Sequence, residues 1–388
     1  MTVRPVVLIT GARAPAALDL ARAFAAAGYA VHMADCAPCR MARWSRAPVA
    51  VHAYASPVED SAGFERDLRG LIDGLEPDLI VPTCEEVFHL AGLARRWPDL
   101  ARRLYAPDFE TLRTLHSKRL FAQACGAHGL PVPQTWSCES SEDLAGLPPS
   151  ETLVFKPEYS RFGVHTLVQP DPSRLASVQP TPDARWVAQR HVAGVEVSFY
   201  AACRDGRLSA FSAYGSRWRE RGGASYGFDA PPAPVVANLL AIAEVLARAV
   251  VRDGQFACDA IVDAQGQVWL LECNPRATSG AHLFDRSADL ALALAGDGPP
   301  VHAAQGELRF LAPAYWLFGL PDAVGTGRLG EWWRGLRTKR DVIGAPGDPW
   351  PMLGALVDSL AFSVKALISG RSLAAAMTAD IEWNGAEP

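Results

Sequence analysis

The stretch WLLECNPRATSG, Trp269–Gly280, decides how this chain is read. Val268-Trp269-Leu270-Leu271 has the apolar run of a short buried strand, and the turn-like Asp263-Ala264-Gln265-Gly266 bounds it upstream. A buried strand has no use for the Glu272 carboxylate unless something pairs with the charge. Glu272 and Asn274 are two residues apart, so in extended chain both point to one face. Asp259 is the expected third member. It and Glu272 flank the Gly266 turn, their numbers sum to an odd value, and an even-length hairpin loop puts Asp259 on that same face. Diagonal cross-strand neighbours lie about 7–8 Å apart at the backbone, near enough for their side chains to share one or two metal ions. Asp, Glu and Asn supply hard oxygen ligands of the kind Mg²⁺ takes. The plainer alternative is a turn-flanking aspartate and a hydrogen-bonded glutamate at a strand end.

At 388 residues the chain exceeds one ordinary core, which predicts two or three domains. Its 49% apolar and 20% charged residues are those of a soluble globular protein, and a net charge of −5 argues against nucleic acid as a partner. Met1-Thr2-Val3-Arg4-Pro5 runs into VVLIT without the features of a secretory signal, and eight scattered cysteines fit reduced thiols. Both predict a cytoplasmic setting. Cys36-Ala-Pro-Cys39, with His32 nearby, lacks a second ligand pair for zinc. The 352–368 segment is apolar over much of its length, but Asp358 and Lys365 interrupt it. It is also shorter than the ~20 apolar residues of a membrane-spanning helix. No transmembrane segment is expected, and this one should pack against the protein or another subunit, as in a homodimer.

The first hundred residues alternate strand and helix patterns: Val6–Ile9, a helix from Ala16 to Ala27, Tyr29–Ala34, a helix from Gly63 to Leu75, then Leu79–Val81. That order predicts a parallel sheet with helices on its faces. Thr10-Gly11-Ala12-Arg13, with Asp35 after the second strand, is half of a dinucleotide fingerprint, but Ala14, Pro15 and Ala16 stand where later glycines belong. A Rossmann-like fold is expected and NAD is not. From about Ala106 the pattern becomes α+β: a helix over Asp108–Gly126, strands at Thr152–Phe155, Trp186–Gln189, Val195–Ala201 and Leu208–Tyr214, a long helix over Ala233–Val251, and the hairpin. The part after Val301 holds five of the eleven tryptophans and suggests no role.

Phe155-Lys156-Pro157 places a lysine at the end of an apolar strand, and Ser160-Arg161-Phe162-Gly163 makes a loop whose amides could approach phosphate. Gly194-Val195-Glu196 opens a later strand with a glutamate. With Glu272-Cys273-Asn274-Pro275-Arg276, in this order and spacing, residues 1 to about 290 resemble the ATP-grasp superfamily. The resemblance implies a Rossmann-like pre-ATP-grasp domain over 1–105, a two-lobed ATP-grasp domain over 106–300, and an extension over 301–388. It implies ATP and Mg²⁺, one ion or two, with Mn²⁺ as a substitute. Lys118 and Lys156 match lysines that reach phosphate oxygens, and Gly163 belongs to the phosphate loop. Gln189, Arg190, His191 and Val192 match the segment at the adenine edge, and Glu196 the carboxylate on the ribose. Asp259, Glu272 and Asn274 match the metal ligands, and Arg276 the arginine beside the transferring phosphate.

Two departures narrow the resemblance. The phosphate loop has one glycine, Gly163, where many members have several. Ala257 stands where the D-alanine ligase branch carries an arginine near the reacting carboxylate. One of Arg217, Arg219 and Arg221 is expected to restore that charge, with Arg217 the first choice and a solvated basic turn the alternative. The implied activity is an ADP-forming ligase that activates a small-molecule carboxylate as an acyl phosphate for attack by an amine. Rival readings are a carboxyphosphate-forming enzyme that uses bicarbonate, a nucleotide-binding module without turnover, and an NAD oxidoreductase.

Overall fold

A computed structural model describes residues 4–161, 165–219, 225–304, 309–338 and 340–386, without the side chains of Ser216 and Arg217. The first sheet is parallel, in the order β3-β2-β1-β4, built from β1 (Val6–Thr10), β2 (Ala30–Asp35), β3 (Ala50–Ala53) and β4 (Leu79–Val81). Successive residues of β1 enter different cores. Val7 and Ile9 pack with Leu20 and Phe24 of the Pro15–Ala26 helix, whereas Leu8 packs with Phe64 and Leu68 of the Ser61–Leu75 helix. Helices therefore cover both faces, which is why β1 is apolar from Val6 to Ile9 without alternation. The strand order reverses between β1 and β4, and the crevice beyond their carboxyl ends is where open α/β sheets bind ligands.

The second sheet is antiparallel, in the order β5-β8-β6-β7, from β5 (Thr135–Cys138), β6 (Leu153–Pro157), β7 (Leu167–Val168) and β8 (Trp186–Arg190). The third runs β13-β12-β9-β10-β11-β15-β16, with β14 paired to β10. Its strands are β9 (Val195–Arg204), β10 (Arg207–Arg219), β11 (Ser225–Asp229), β12 (Gly254–Val262), β13 (Val268–Asn274), β14 (Val301–His302), β15 (Arg309–Phe310) and β16 (Arg340–Asp341). One face carries Phe199, Phe211 and Phe256 against Leu239, Ile242 and Leu246 of the Ala233–Leu246 helix. On the other, Tyr200, Ala202 and Ala257 join the core of the first sheet. A mixture of parallel α/β and α+β layers is thus the architecture.

Three expectations need correction. The helix expected over Asp108–Gly126 is two helices, Phe109–His116 and Lys118–Ala127. Ser117 leaves the helical conformation (φ −68°, ψ 116°) and caps the second helix by accepting from Leu120 N. Serine competes well for this position because its short hydroxyl satisfies an orphan amide. The apolar 352–368 segment belongs to a 20-residue helix, Trp350–Ser369, long enough to reach spanning length. The third concerns the hairpin loop. Val262 pairs with Val268, leaving an odd loop of Asp263 to Gln267, and the register shifts between Asp259 and Ala260 so that Leu271 is an extra residue. That β-bulge supplies the offset that an even loop was expected to give.

Candidate active site

The bulge sets Asp259 directly opposite Glu272, with Ala257 opposite Asn274. On the other side of β12, Ser198 of β9 is also opposite Asp259. Opposed residues share a face, so Ser198, Asp259, Glu272 and Asn274 form one polar row across three strands. Ser198 Oγ donates to Asp259 Oδ1 at 2.6 Å, and Asn274 Nδ2 approaches Asp259 Oδ2 at 3.5 Å. Arg276 Nη2 donates to Asn274 Oδ1 at 3.4 Å. Ser198 is two residues beyond Glu196, so the alternation that places Glu272 with Asn274 also places Ser198 with Glu196. Its role beside Asp259 was readable from that period.

Two lysines face this row. Lys118 begins the Lys118–Ala127 helix, and its buried Nζ lies 3.6 Å from Glu272 Oε2 and donates to Ser160 O at 3.2 Å. Lys156 is the penultimate residue of β6, at the strand end as expected, and Nζ donates to Gln189 Oε1 at 3.4 Å. Gln189 in turn donates from Nε2 to Thr135 Oγ1. Burial works to raise both carboxyl pKa values. For Asp259 burial prevails, with Glu272 beside it, and the pKa rises to about 6. For Glu272 the positive charges of Lys118 and Lys156 more than offset burial, and its pKa falls. Burial, with Lys156 close by, lowers the Lys118 pKa against the opposing pull of Glu272. Carboxylates pushed apart in this way, with buried lysines beside them, are characteristic of sites that hold cations and polyanions.

The remaining expected residues are dispersed around this centre. Arg190 and His191 spend their backbone N–H groups on Gln134 O and Thr152 O. Val192 continues the crossing from β8 to β9. Gly194 is required by close packing, since a Cβ there would come within 2.2 Å of Val262 O. Glu196, the carboxylate expected at the ribose, is ion-paired with Arg219. The Arg217 side chain, Gly163 and Arg221 lie outside the described residues. Among the described residues no cluster of three or more His, Cys, Asp or Glu is found; the candidate metal set is two carboxylates and an amide.

Sequence reading missed the crevice between β1 and β4. Thr83 Oγ1 donates to Thr10 O at 2.7 Å, and Thr10 Oγ1 donates to Glu86 Oε1 at 2.7 Å. Gly11 sits at φ +71°, with no room for a Cβ beside Thr83 Oγ1. Glu85 follows and accepts from Arg161, a member of the 160–163 stretch expected to approach phosphate. Arg161 also donates to Trp383 O, Asn384 Oδ1 and Glu382 Oε2 of the chain's last described segment. Asp35, the half-fingerprint carboxylate, is taken by Arg13 at 2.5 Å, which also pairs with Asp380 at 2.6 Å.

No family model and no curated protein matches the sequence. Solved structures do match the fold. An N5-carboxyaminoimidazole synthetase from Staphylococcus aureus superposes with TM-score 0.62 at 13% identity, covering 84% of this chain and 87% of that one. An L-amino acid ligase from Bacillus licheniformis does so with TM-score 0.58 at 15% identity, covering 78% and 76%. The biotin carboxylase domain of the Hydrogenobacter thermophilus 2-oxoglutarate carboxylase, a dimer solved with ADP, its magnesium salt and bicarbonate, gives TM-score 0.62 at 12% identity, covering 79% and 73%. The sheet order, the polar row on the third sheet and these likenesses agree: the chain has the fold of the ATP-grasp enzymes.

Proposed function

We propose that this chain is an ADP-forming ligase that activates a carboxylate with ATP for attack by an amine, giving an amide. The observation that carries the reading is the pair of buried lysines, Lys118 and Lys156, against Glu272 and the opposed Asp259. Such charges suit the β- and γ-phosphates of a nucleotide lying between the second and third sheets. Gly163 of the phosphate loop would cover those phosphates. Gln189, Arg190, His191 and Val192 would line the adenine edge, and Glu196 would reach the ribose after exchanging its contact with Arg219. We place the nucleotide within the 106–300 unit, beside a first unit over 1–105 and an extension over 301–388.

Mg²⁺ fits the polar row. Asp259, Glu272 and Asn274 present hard oxygens on one face, too few for a closed cage, which suits an ion that keeps phosphate and water ligands. When bound, it would spread the negative charge of the phosphates. The protein's own part is electrostatic. A carboxylate resists attack because more charge must enter an anion, and conversion to an acyl phosphate provides a leaving group. Lys118 and Lys156 hold the phosphate oxygens as the γ-phosphoryl group moves to the substrate carboxylate. Arg276, anchored to Asn274 Oδ1, neutralises the transferring group from the other side. Arg217 would hold the substrate carboxylate. The amine then attacks the acyl carbon and phosphate departs; no protein nucleophile is needed.

The likeness to a bicarbonate-bound structure favours one second reading, carboxyphosphate formation from bicarbonate. Hydroxylamine separates the two. A panel of organic acids, α-amino acids included, is incubated with ATP, Mg²⁺ and hydroxylamine under bicarbonate-free conditions. The ligase reading expects a hydroxamate with one equivalent of ADP for at least one acid. ATP turnover that requires bicarbonate supports the second reading, and AMP in place of ADP overturns both.

A further inference from the structure

The Trp350–Ser369 helix is built inside out. Its small residues Pro351, Gly354, Ala355 and Ala366 face the body, and a Cβ on Gly354 would come within 2.6 Å of the Arg40 carbonyl. Its two charges lie beside this inner face and are paired, Asp358 turned inward and Lys365 with its side chain 43% exposed. Asp358 accepts from Met41 N at 2.9 Å and pairs with Arg40, while Lys365 pairs with Asp380 at 3.1 Å. The outward face is aliphatic: Leu353, Leu356, Leu360 and Val364 are 47%, 50%, 67% and 48% exposed, and Leu367 and Ile368 more than 80%. Ser359, Ser363 and Ser369 return their hydroxyls to carbonyls four residues back, at 2.7–2.8 Å. No charged group interrupts the stripe.

An ordinary surface helix places its apolar stripe against the core and its charges in water. Here the order is reversed, so the aliphatic stripe needs a cover. Its exposed area, with Trp350 and the adjoining Trp44, is on the order of 800 Å², what one partner contributes to a standard protein interface. A lipid surface fits less well. Interfacial helices carry Lys and Arg along their polar side, whereas Lys365 is committed to Asp380 and the chain's net charge is −5.

The spacing identifies the occupant. From Leu353 the centre line of the stripe advances by three, four, four and three residues to Leu367, with Ile368 beside it, and this line reads the same in reverse about Leu360. Residues 353 and 367 are equidistant from Leu360, as are 356 and 364. A two-fold axis through Leu360 therefore sets Leu353 on Leu367 of a second copy and Leu356 on Val364. Isologous interfaces need this self-complementarity, because each patch must match its own image. Steps of three, four and four repeat every 11 residues, close to the helical period, so the stripe stays straight for about 21 Å. We propose that this stripe is the interface of a two-fold symmetric dimer of this chain, its helices antiparallel, with Leu360 on the axis.

The test is the solution mass of the full chain by light scattering after gel filtration. The wild type should have twice the 41.7 kDa chain mass, and Leu360→Arg, which sets two like charges on the axis, should have one chain's mass with an unchanged far-ultraviolet circular dichroism spectrum and a melting transition that no longer depends on protein concentration. Leu353→Arg should also be a monomer, and adding Leu367→Glu to the same chain should restore the dimer. That rescue is particular to the antiparallel register. A wild-type monomer, a dimer that survives Leu360→Arg, or a failed rescue would each overturn the proposal. So would a wild-type monomer that floats with phosphatidylcholine vesicles, which would make lipid the cover.

Discussion

Arg161 and Glu85 belong to different layers of the protein, and both Glu85 carboxylate oxygens accept from Arg161 Nε at 2.7 Å. The pair joins the strand-end loop of the first sheet to the segment that follows β6. Burial alone would raise the Glu85 pKa, but Arg161 more than offsets it and brings the carboxyl from 4.5 down to about 2. A carboxyl depressed on folding contributes stability that is complete above its unfolded pKa and is lost as pH falls through the folded one. The window is therefore about pH 4.5 to 2, a difference that corresponds to ~3.4 kcal/mol. Glu85→Gln should lower stability at pH 7 by about 3–5 kcal/mol, the scale for breaking a buried ion pair. Between about pH 5 and 2 its denaturant midpoint should fall less steeply than that of the wild type. Parallel slopes would assign the proton uptake to other carboxylates.

What the sequence made legible was local. Glu272, Asn274 and Asp259 lie on one hairpin, and a period of two is enough to place them on one face. Even there the loop parity was misread, because a bulge at Leu271 has no sequence mark that distinguishes it from a strand residue. The continuous apolar run of β1 and the Ala-rich helix after it likewise pointed to the first sheet. The Arg161–Glu85 pair and the docking of Trp383, stacked on Phe88 at 4.7 Å, were out of reach. Trp383 and Phe88 lie nearly three hundred positions apart, and no periodicity connects them. The two-residue strands β14, β15 and β16 are too short to carry a pattern, so the part after Val301 gave no sign that it extends the third sheet.

Glu272→Gln should remove ADP formation by at least ~10²-fold while the melting transition stays nearly in place, because loss of the Lys118 contact is offset by relief of the repulsion between Glu272 and Asp259. Glu272 also restrains Lys118, at 3.6 Å. Without the carboxylate that lysine is released, so ADP should bind the variant at least as tightly as the wild type when EDTA removes divalent ions. Titration calorimetry with and without Mg²⁺ measures both halves. Full turnover at saturating substrate, or weaker binding in EDTA, would count against a metal-ligand role.

Lys156→Ala should lower ATP-dependent turnover by at least ~10²-fold, the scale of one preorganised charge at a transition state. Nucleotide affinity should fall as well, since among the described residues the hydrogen-bond acceptor of Nζ is the neutral Gln189 Oε1 rather than a carboxylate. Loss of affinity for the organic acid alone would place Lys156 in a different pocket.

The fate of one oxygen atom tests the chemistry itself. With the acid labelled by ¹⁸O in its carboxylate, one label should appear in the inorganic phosphate released, read by mass spectrometry or by the ³¹P isotope shift. Acyl phosphate formation makes a substrate oxygen the bridge to phosphorus, and attack by the amine at carbon leaves that oxygen on phosphate. Attack of the carboxylate at the α-phosphorus would instead deliver the label to AMP, and activation of bicarbonate would leave the organic acid's label in place. The expectation follows from where the positive charge lies. Lys118 and Lys156 converge on the Asp259–Glu272 row, so the phosphates nearest that row are those whose charge the protein is built to hold during transfer. Label in AMP would mean that the row holds the α-phosphate instead, and the acyl-phosphate mechanism would fall while the fold assignment stood.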